Sequence, residues 1–143
     1  MTSSGLNGIT AGSSGISTVG QEGVGLTYRG YSITDLAADS TFEEVAYLLI
    51  YGKLPNQQQL DAYKKKLSGM RALPDALKNL LEALPASTHP MDVLRTGTSV
   101  LGTLESEGEG GRTAVSVGDR LTASFGSMLA YWYRFHFRNE RIE

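Results

Sequence analysis

The side chains best suited to acid–base or metal chemistry are scarce in this sequence. Its 143 residues include two histidines, His89 and His136, and no cysteine. The lack of cysteine excludes disulfides, thiolate catalysis, iron–sulfur clusters and cysteine-ligated zinc. His89 precedes a proline at a predicted helix start, which favours a capping or packing role over that of a ligand or base. His136 lies in an aromatic run with helical spacing, which favours packing in a core or an interface.

Other recognised motifs supply no catalytic or cofactor-binding set. The two histidines are not spaced as in the HExxH zinc motif, so we predict no metal site. Residues 23–25 lack the third glycine of a dinucleotide loop, and residues 108–112 are not followed by the lysine and hydroxyl residue of a phosphate loop. The lysine run at residues 64–66 could hold a carboxylate or a phosphate, although most such runs form a solvated helix face. The residues alone give no catalytic residue and no cofactor.

Composition and charge describe a globular chain of about one domain. Hydrophobic residues make up 41% and charged residues 20% of the sequence, with 13 basic and 15 acidic side chains and a net charge of −2. This balance argues against nucleic-acid binding. No run of 18 apolar residues is present, and the first ten residues do not resemble a secretory signal. We therefore expect a cytoplasmic protein that binds neither nucleic acid nor a membrane.

The elements that would position these residues are predicted to be mainly helical, with a short β-hairpin at the amino terminus. β-Branched and aromatic residues interrupt the glycines at residues 16–19 and 26–28, which predicts two strands joined by a turn at residues 21–25. We assign residues 1–31 to this β-ribbon and residues 32–143 to a helical segment.

Capping residues predict where the first two long helices begin and end. Thr41 with Glu44, and Asn56 with Gln59, have the spacing of capping boxes. Gly52 is a natural helix stop between them.

Prolines and glycines predict the rest of the helical segment. Pro74 and Pro90 each open a helix, the second running to about Leu104. Residues 105–117 are acidic and glycine-rich, which predicts an exposed, mobile loop. The last helix is predicted near residues 117–138, and its aromatic density predicts contact with something outside this chain.

Five segments, in order and spacing, resemble the amino-terminal part of the citrate synthase family. They read ISTVG at 16–20, LTYRGY at 26–31, TFEEVAYLLIYGKLP at 41–55, HPMDVLRTG at 89–97 and MLAYWY at 128–133. The wording of residues 48–55 and 89–97 is more similar to the bacterial 2-methylcitrate synthase branch than to ordinary citrate synthases. The resemblance covers nearly the whole chain and implies the family's large helical domain, truncated before its catalytic region.

The resemblance implies an acyltransferase that condenses propanoyl-CoA with oxaloacetate and water to 2-methylcitrate and CoA, in propanoate catabolism. An aspartate and two histidines perform this acid–base chemistry in the family, without a metal or a cofactor. In the longer family members these groups lie beyond residue 143, so the resemblance assigns no catalytic residue here and implies that the chain alone is inactive. It places Lys66 in register with a substrate-binding basic residue.

The family also implies a homodimer whose active sites are completed across subunits. Leu101, Trp132 and their neighbours are then expected on surfaces that the missing remainder leaves bare. Two alternatives stay open at this stage. The chain could belong to an ordinary citrate synthase that uses acetyl-CoA, because one methylene is worth only about 1–3 kcal/mol of discrimination. It could also be a non-catalytic helical interaction module that reuses the scaffold.

Overall fold

Short strands precede a series of helices in the computed structural model of the chain, which describes Gly12, residues 14–18 and residues 25–142. The mainly helical fold class predicted above is confirmed. Within the described residues the elements are β1 Ser17–Thr18, β2 Thr27–Tyr28, β3 Tyr31–Ser32, α1 Ile33–Asp39, α2 Phe42–Tyr51, α3 Gln57–Gly69, α4 Asp75–Ala83, α5 Pro90–Leu104, a 3-10 turn Glu109–Gly111 and α6 Ala114–Arg138.

The described residues fall into two compact units that divide between Leu54 and Pro55. The predicted division into residues 1–31 and 32–143 stays a prediction. No helix in the described part of the chain has the length and apolar character needed to cross a membrane.

The first unit contains a three-stranded antiparallel sheet in the order β1-β2-β3. Ser17 pairs with Tyr28, which confirms the predicted hairpin, although residues 19–24 of its turn lie outside the described residues. The third strand, β3, was not predicted from the sequence. Arg29 (φ 51°) and Gly30 (φ 89°) form a two-residue turn with both φ values positive, the geometry that reverses a chain tightly between antiparallel strands.

Helix caps in the first unit follow the sequence closely. Thr41 and Glu44 form the predicted capping box at the start of α2, and Gly52 ends that helix in the left-handed conformation (φ 85°). Arg29 donates from Nη2 to the backbone oxygen of Leu49 at 3.0 Å, so the tight turn is tied to the carboxyl-terminal half of α2.

The second unit is built around one apolar cluster to which α4, α5 and α6 all contribute. Its most deeply buried members include Leu77, Leu81, Val93 and Met128. At Gly97, in α5, an added Cβ would lie 2.9 Å from Met128 Sδ, so a side chain at this position would require Met128 of α6 to move. Helices α5 and α6 are also joined by the ion pair between Glu105, which follows α5, and Arg120 of α6.

The expectation that Leu101 and Trp132 lie on bare surface is wrong. Leu101 is 2% exposed and Trp132 is 5% exposed, and both belong to the core cluster. The exposed aromatic residues of α6 instead include Tyr133 (49%) and Phe137 (51%), which stack with ring centroids 4.9 Å apart. The reason is helical spacing: Trp132 follows Met128 by four residues and shares its buried side of α6, whereas Tyr133 is rotated away from it.

Helix α6 begins at Ala114, three residues before its predicted start. Thr113 caps it, and Ser116 occupies the third position of a capping box, where the usual residue is glutamate or glutamine. The serine makes the cap hard to recognise in the sequence. Residues 107–113 are exposed as predicted and contain the 3-10 turn, whereas Glu105 and Ser106 are partly buried. The predicted mobility of this loop stays a prediction.

Candidate functional site

Lys66, the residue predicted to bind substrate, lies in the last turn of α3 and contacts a buried carboxylate. Its Nζ is 2.5 Å from Oδ2 of Asp119 in α6. The side chain of Asp119 is 0% exposed and that of Lys66 is 39% exposed. The hydroxyl of Tyr63, one turn earlier in α3, donates to Oδ1 of Asp119 at 3.0 Å. The two carboxylate oxygens are therefore held from α3 by a cation and a hydroxyl.

The spacing of α3 explains this arrangement. Leu60, Tyr63 and Leu67 form the buried stripe of the helix, and Lys66 lies at its edge. A long lysine stem can follow apolar surface while its ammonium reaches a polar partner. Because an unpaired buried carboxylate is strongly unfavourable, Asp119 requires such a partner.

Arg120, next to Asp119 on α6, connects the ends of two other helices. Its Nε and Nη2 each donate to one carboxylate oxygen of Glu105, both at 2.9 Å. Its guanidinium also donates to the backbone oxygens of Met70 and Ala72, which follow α3. The hydrogen bonds from Arg120 to Glu105 hold the pKa of Glu105 below its ordinary value, and the charge of Arg112 lowers this pKa further. Glu105 therefore stays ionised in its partly buried position.

The two histidines have structural contacts. His89 caps α5, with Nδ1 accepting from the backbone N–H of Met91 at 3.2 Å, which confirms the capping role predicted for it. His136 is half-buried beside Trp132, and its Nε2 lies 3.2 Å from the backbone oxygen of Leu81. The predicted packing role of His136 is confirmed.

A second polar cluster, which the sequence analysis did not find, joins the end of the described chain to α4. Arg141 donates from Nε and Nη2 to the two carboxylate oxygens of Glu82, each at 2.7 Å, and the hydroxyl of Tyr131 donates to Glu82 at 2.7 Å. The bonds from Arg141, and then that from Tyr131, lower the pKa of Glu82 to about 2. Burial and the bond to Glu82 raise the pKa of Tyr131. The partners are separated by 49 and 59 residues, so no local motif reveals them.

Metal-binding geometry is not seen in the described part of the chain, where no three His, Cys, Asp or Glu side chains are grouped so as to hold an ion. The expectation that no metal and no cofactor is needed stays a prediction.

Comparison with known proteins identifies the family of this chain. A family model described as "Citrate synthase, C-terminal domain" matches residues 5–143. The 2-methylcitrate synthase of Shewanella oneidensis is 55% identical over 143 residues, which is 100% of this chain and 38% of that protein. The chain therefore belongs to the citrate synthase family.

Solved structures of the same family have the same fold. The citrate synthase of Thermotoga maritima is 34% identical and superposes with a TM-score of 0.82, over 100% of this chain and 37% of that one. The structure described as the ternary complex of carboxymethyl coenzyme A and oxaloacetate with citrate synthase from Thermoplasma acidophilum is 26% identical, with a TM-score of 0.83 over 97% of this chain and 37% of that one. The chain thus spans less than two fifths of the length of these relatives.

Proposed function

We propose that this chain is the amino-terminal part of a 2-methylcitrate synthase, an acyltransferase that condenses propanoyl-CoA with oxaloacetate and water to 2-methylcitrate and CoA. The observation that carries the proposal is the 55% identity, over all 143 residues, to the Shewanella oneidensis protein of that name. The Thermoplasma acidophilum structure supports the substrate class, because its ligands are a CoA derivative and oxaloacetate. The proposed setting is propanoate catabolism in the cytoplasm.

The chain alone is proposed to be inactive. His89 is engaged at a helix start and His136 contacts a backbone oxygen, so neither is placed here as a base beside a substrate. The aspartate and the two histidines of the family reaction are proposed to come from the remaining part of the protein. Lys66 is proposed to contribute to binding of an anionic substrate, with its position fixed by Asp119.

Self-association is proposed to involve the outward side of α6. Phe125, Tyr133 and Phe137 are exposed there and follow one another at intervals of eight and four residues, which places them along one side of a helix. Exposed apolar stripes of this kind typically mark contact surfaces. A homodimer of the whole protein is the proposed assembly.

The test is an activity assay on two preparations. The full-length protein that contains this chain, and the 143-residue chain itself, are each given oxaloacetate with propanoyl-CoA or acetyl-CoA, and release of free CoA thiol is followed. We expect turnover of propanoyl-CoA by the full-length protein and none by the chain. Higher kcat/KM for acetyl-CoA would favour an ordinary citrate synthase, and no turnover by the full-length protein with either donor would favour a non-catalytic interaction module.

A further inference from the structure

A pocket of about 200 Å³ lies in the second unit, between the carboxyl-terminal half of α5 and the amino-terminal half of α6. Met70, Leu101, Val117 and Leu121 supply apolar parts of its wall. An apolar cavity of ~150 Å³ holds a benzene molecule, so this pocket has room for a ligand of roughly six to eight non-hydrogen atoms. Its walls favour a molecule with an apolar body.

Three charged side chains also line the pocket, and their charges do not cancel. Glu105 and Arg120 neutralise each other through the two 2.9 Å hydrogen bonds described above. Arg112 is exposed and donates from Nη1 to the backbone oxygen of Glu109 at 3.5 Å. Within the described residues, Arg112 forms no ion pair with a carboxylate. The charge of Arg112 also acts on Glu105 and lowers its pKa, so one carboxylate faces two guanidinium groups, and the side chains that line the pocket carry one excess positive charge.

The position of the pocket also favours a negatively charged ligand. Ser116 and Val117, in the first turn of α6, form part of the wall, so the pocket lies beside the amino-terminal turn of a 25-residue helix. The dipole of a helix favours negative charge at this end. The helix end, the guanidinium of Arg112 and the apolar wall all favour the same kind of ligand.

We propose that this pocket binds a small carboxylate with an apolar body, whose carboxylate contacts Arg112 and whose body packs against Leu101, Val117 and Leu121. The site is separate from the Lys66–Asp119 pair. The proposal rests on the proposed function only for the full-length protein used in its test, and binding is measured directly rather than through turnover, so the two proposals can fail separately.

Gly102 offers a variant that fills the pocket. It lines the wall, and a Cβ added there meets no atom within 4 Å, so a larger side chain would enter open space. Leucine is also a better helix former than glycine, so Gly102→Leu is expected to fold. Ser99→Leu adds the same side chain to α5 at an exposed position outside the pocket and serves as its control. Arg112→Gln removes the charge, with Arg71→Gln as the control at another exposed arginine.

The experiment is a ligand-observed NMR titration of the full-length protein with hexanoate and with the uncharged probe hexanol. We expect saturable binding of hexanoate, weakened roughly threefold to tenfold by Arg112→Gln and abolished by Gly102→Leu, with wild-type affinity in both controls. Hexanol is expected to bind more weakly than hexanoate and to be insensitive to Arg112→Gln. The proposal is overturned if hexanoate does not saturate the protein, if Gly102→Leu leaves its affinity unchanged, or if only the isolated 143-residue chain binds it.

Discussion

Removing the ammonium of Lys66 is expected to destabilise the fold far more than removing the ammonium of Lys65, its neighbour on α3. In Lys66→Met, Asp119 stays fully buried and loses its cation at 2.5 Å, while the hydrogen bond from Tyr63 remains. Breaking one side of a buried pair costs about 3–5 kcal/mol. Because Lys66 is 39% exposed, water can partly replace the ammonium. We therefore expect Lys66→Met to lower the free energy of unfolding by about 2–3 kcal/mol. For a chain of this size that corresponds to a fall in Tm of roughly 5–10 °C.

The matched control is Lys65→Met, which removes the same charge from an exposed position of the same helix. Urea unfolding of the chain can be followed by the fluorescence of Trp132, the single tryptophan in the sequence, which is buried in the core. We expect Lys65→Met to change the free energy of unfolding by less than about 0.5 kcal/mol. A Lys66→Met variant within that same range of the wild type would refute the account of the pair.

A double variant separates the structural role of Lys66 from its proposed substrate role. Lys66→Met with Asp119→Asn removes both charges, so it is expected to recover at least half of the stability lost in Lys66→Met. In the full-length enzyme, the double variant should keep a raised KM for oxaloacetate compared with Asp119→Asn alone if Lys66 binds that substrate. Equal KM values in these two variants would leave Lys66 as a counter-ion for Asp119 and remove it from the substrate site.

Three further outcomes follow from local contacts. Gly97→Ala should lower the free energy of unfolding by about 1–3 kcal/mol because its Cβ meets Met128. Gly126→Ala, whose Cβ meets no atom within 4 Å, should raise the free energy of unfolding by up to about 1 kcal/mol. Urea unfolding compares the two variants. His89→Ala should cost about 1 kcal/mol, and His89→Asn should restore the helix cap in the same assay. The pKa of Glu82 is lowered from 4.5 to about 2. The ionised Glu82 therefore contributes fully to the free energy of unfolding above pH 4.5, and this contribution is lost as the pH falls towards 2. A Glu82→Gln variant measured across this pH range should lack that loss.

Features encoded by neighbouring residues were predicted well from the sequence. The caps at Thr41 and Asn56 and the helix stop at Gly52 depend on residues within a few positions of one another, and the structure has them where the spacing indicates. A cap and a turn were not predicted from the sequence because each contains a residue type that is uncommon at its position. Ser116 closes the cap of α6, and the pair Arg29–Gly30 makes a turn usually formed by Asn-Gly.

The polar pairs between helices could not be predicted from spacing. Asp119 meets Lys66 across 53 residues, and nothing near either residue specifies the other. One signal was present, because Asp119 lies four residues before Ala123 on the same side of α6, and Ala123 is buried. A carboxylate on a buried face requires a partner, although the pattern does not identify which cation supplies it.

The donor preference of the full-length protein tests the central proposal most directly. Propanoyl-CoA and acetyl-CoA at equal concentration are allowed to compete for limiting oxaloacetate, and the ratio of 2-methylcitrate to citrate, measured by mass spectrometry, gives the ratio of the two kcat/KM values. One methylene in an apolar pocket is worth about 1–3 kcal/mol, so we expect 2-methylcitrate in at least roughly tenfold excess. Citrate as the main product would contradict the assignment to a 2-methylcitrate synthase while leaving the chain in the citrate synthase family.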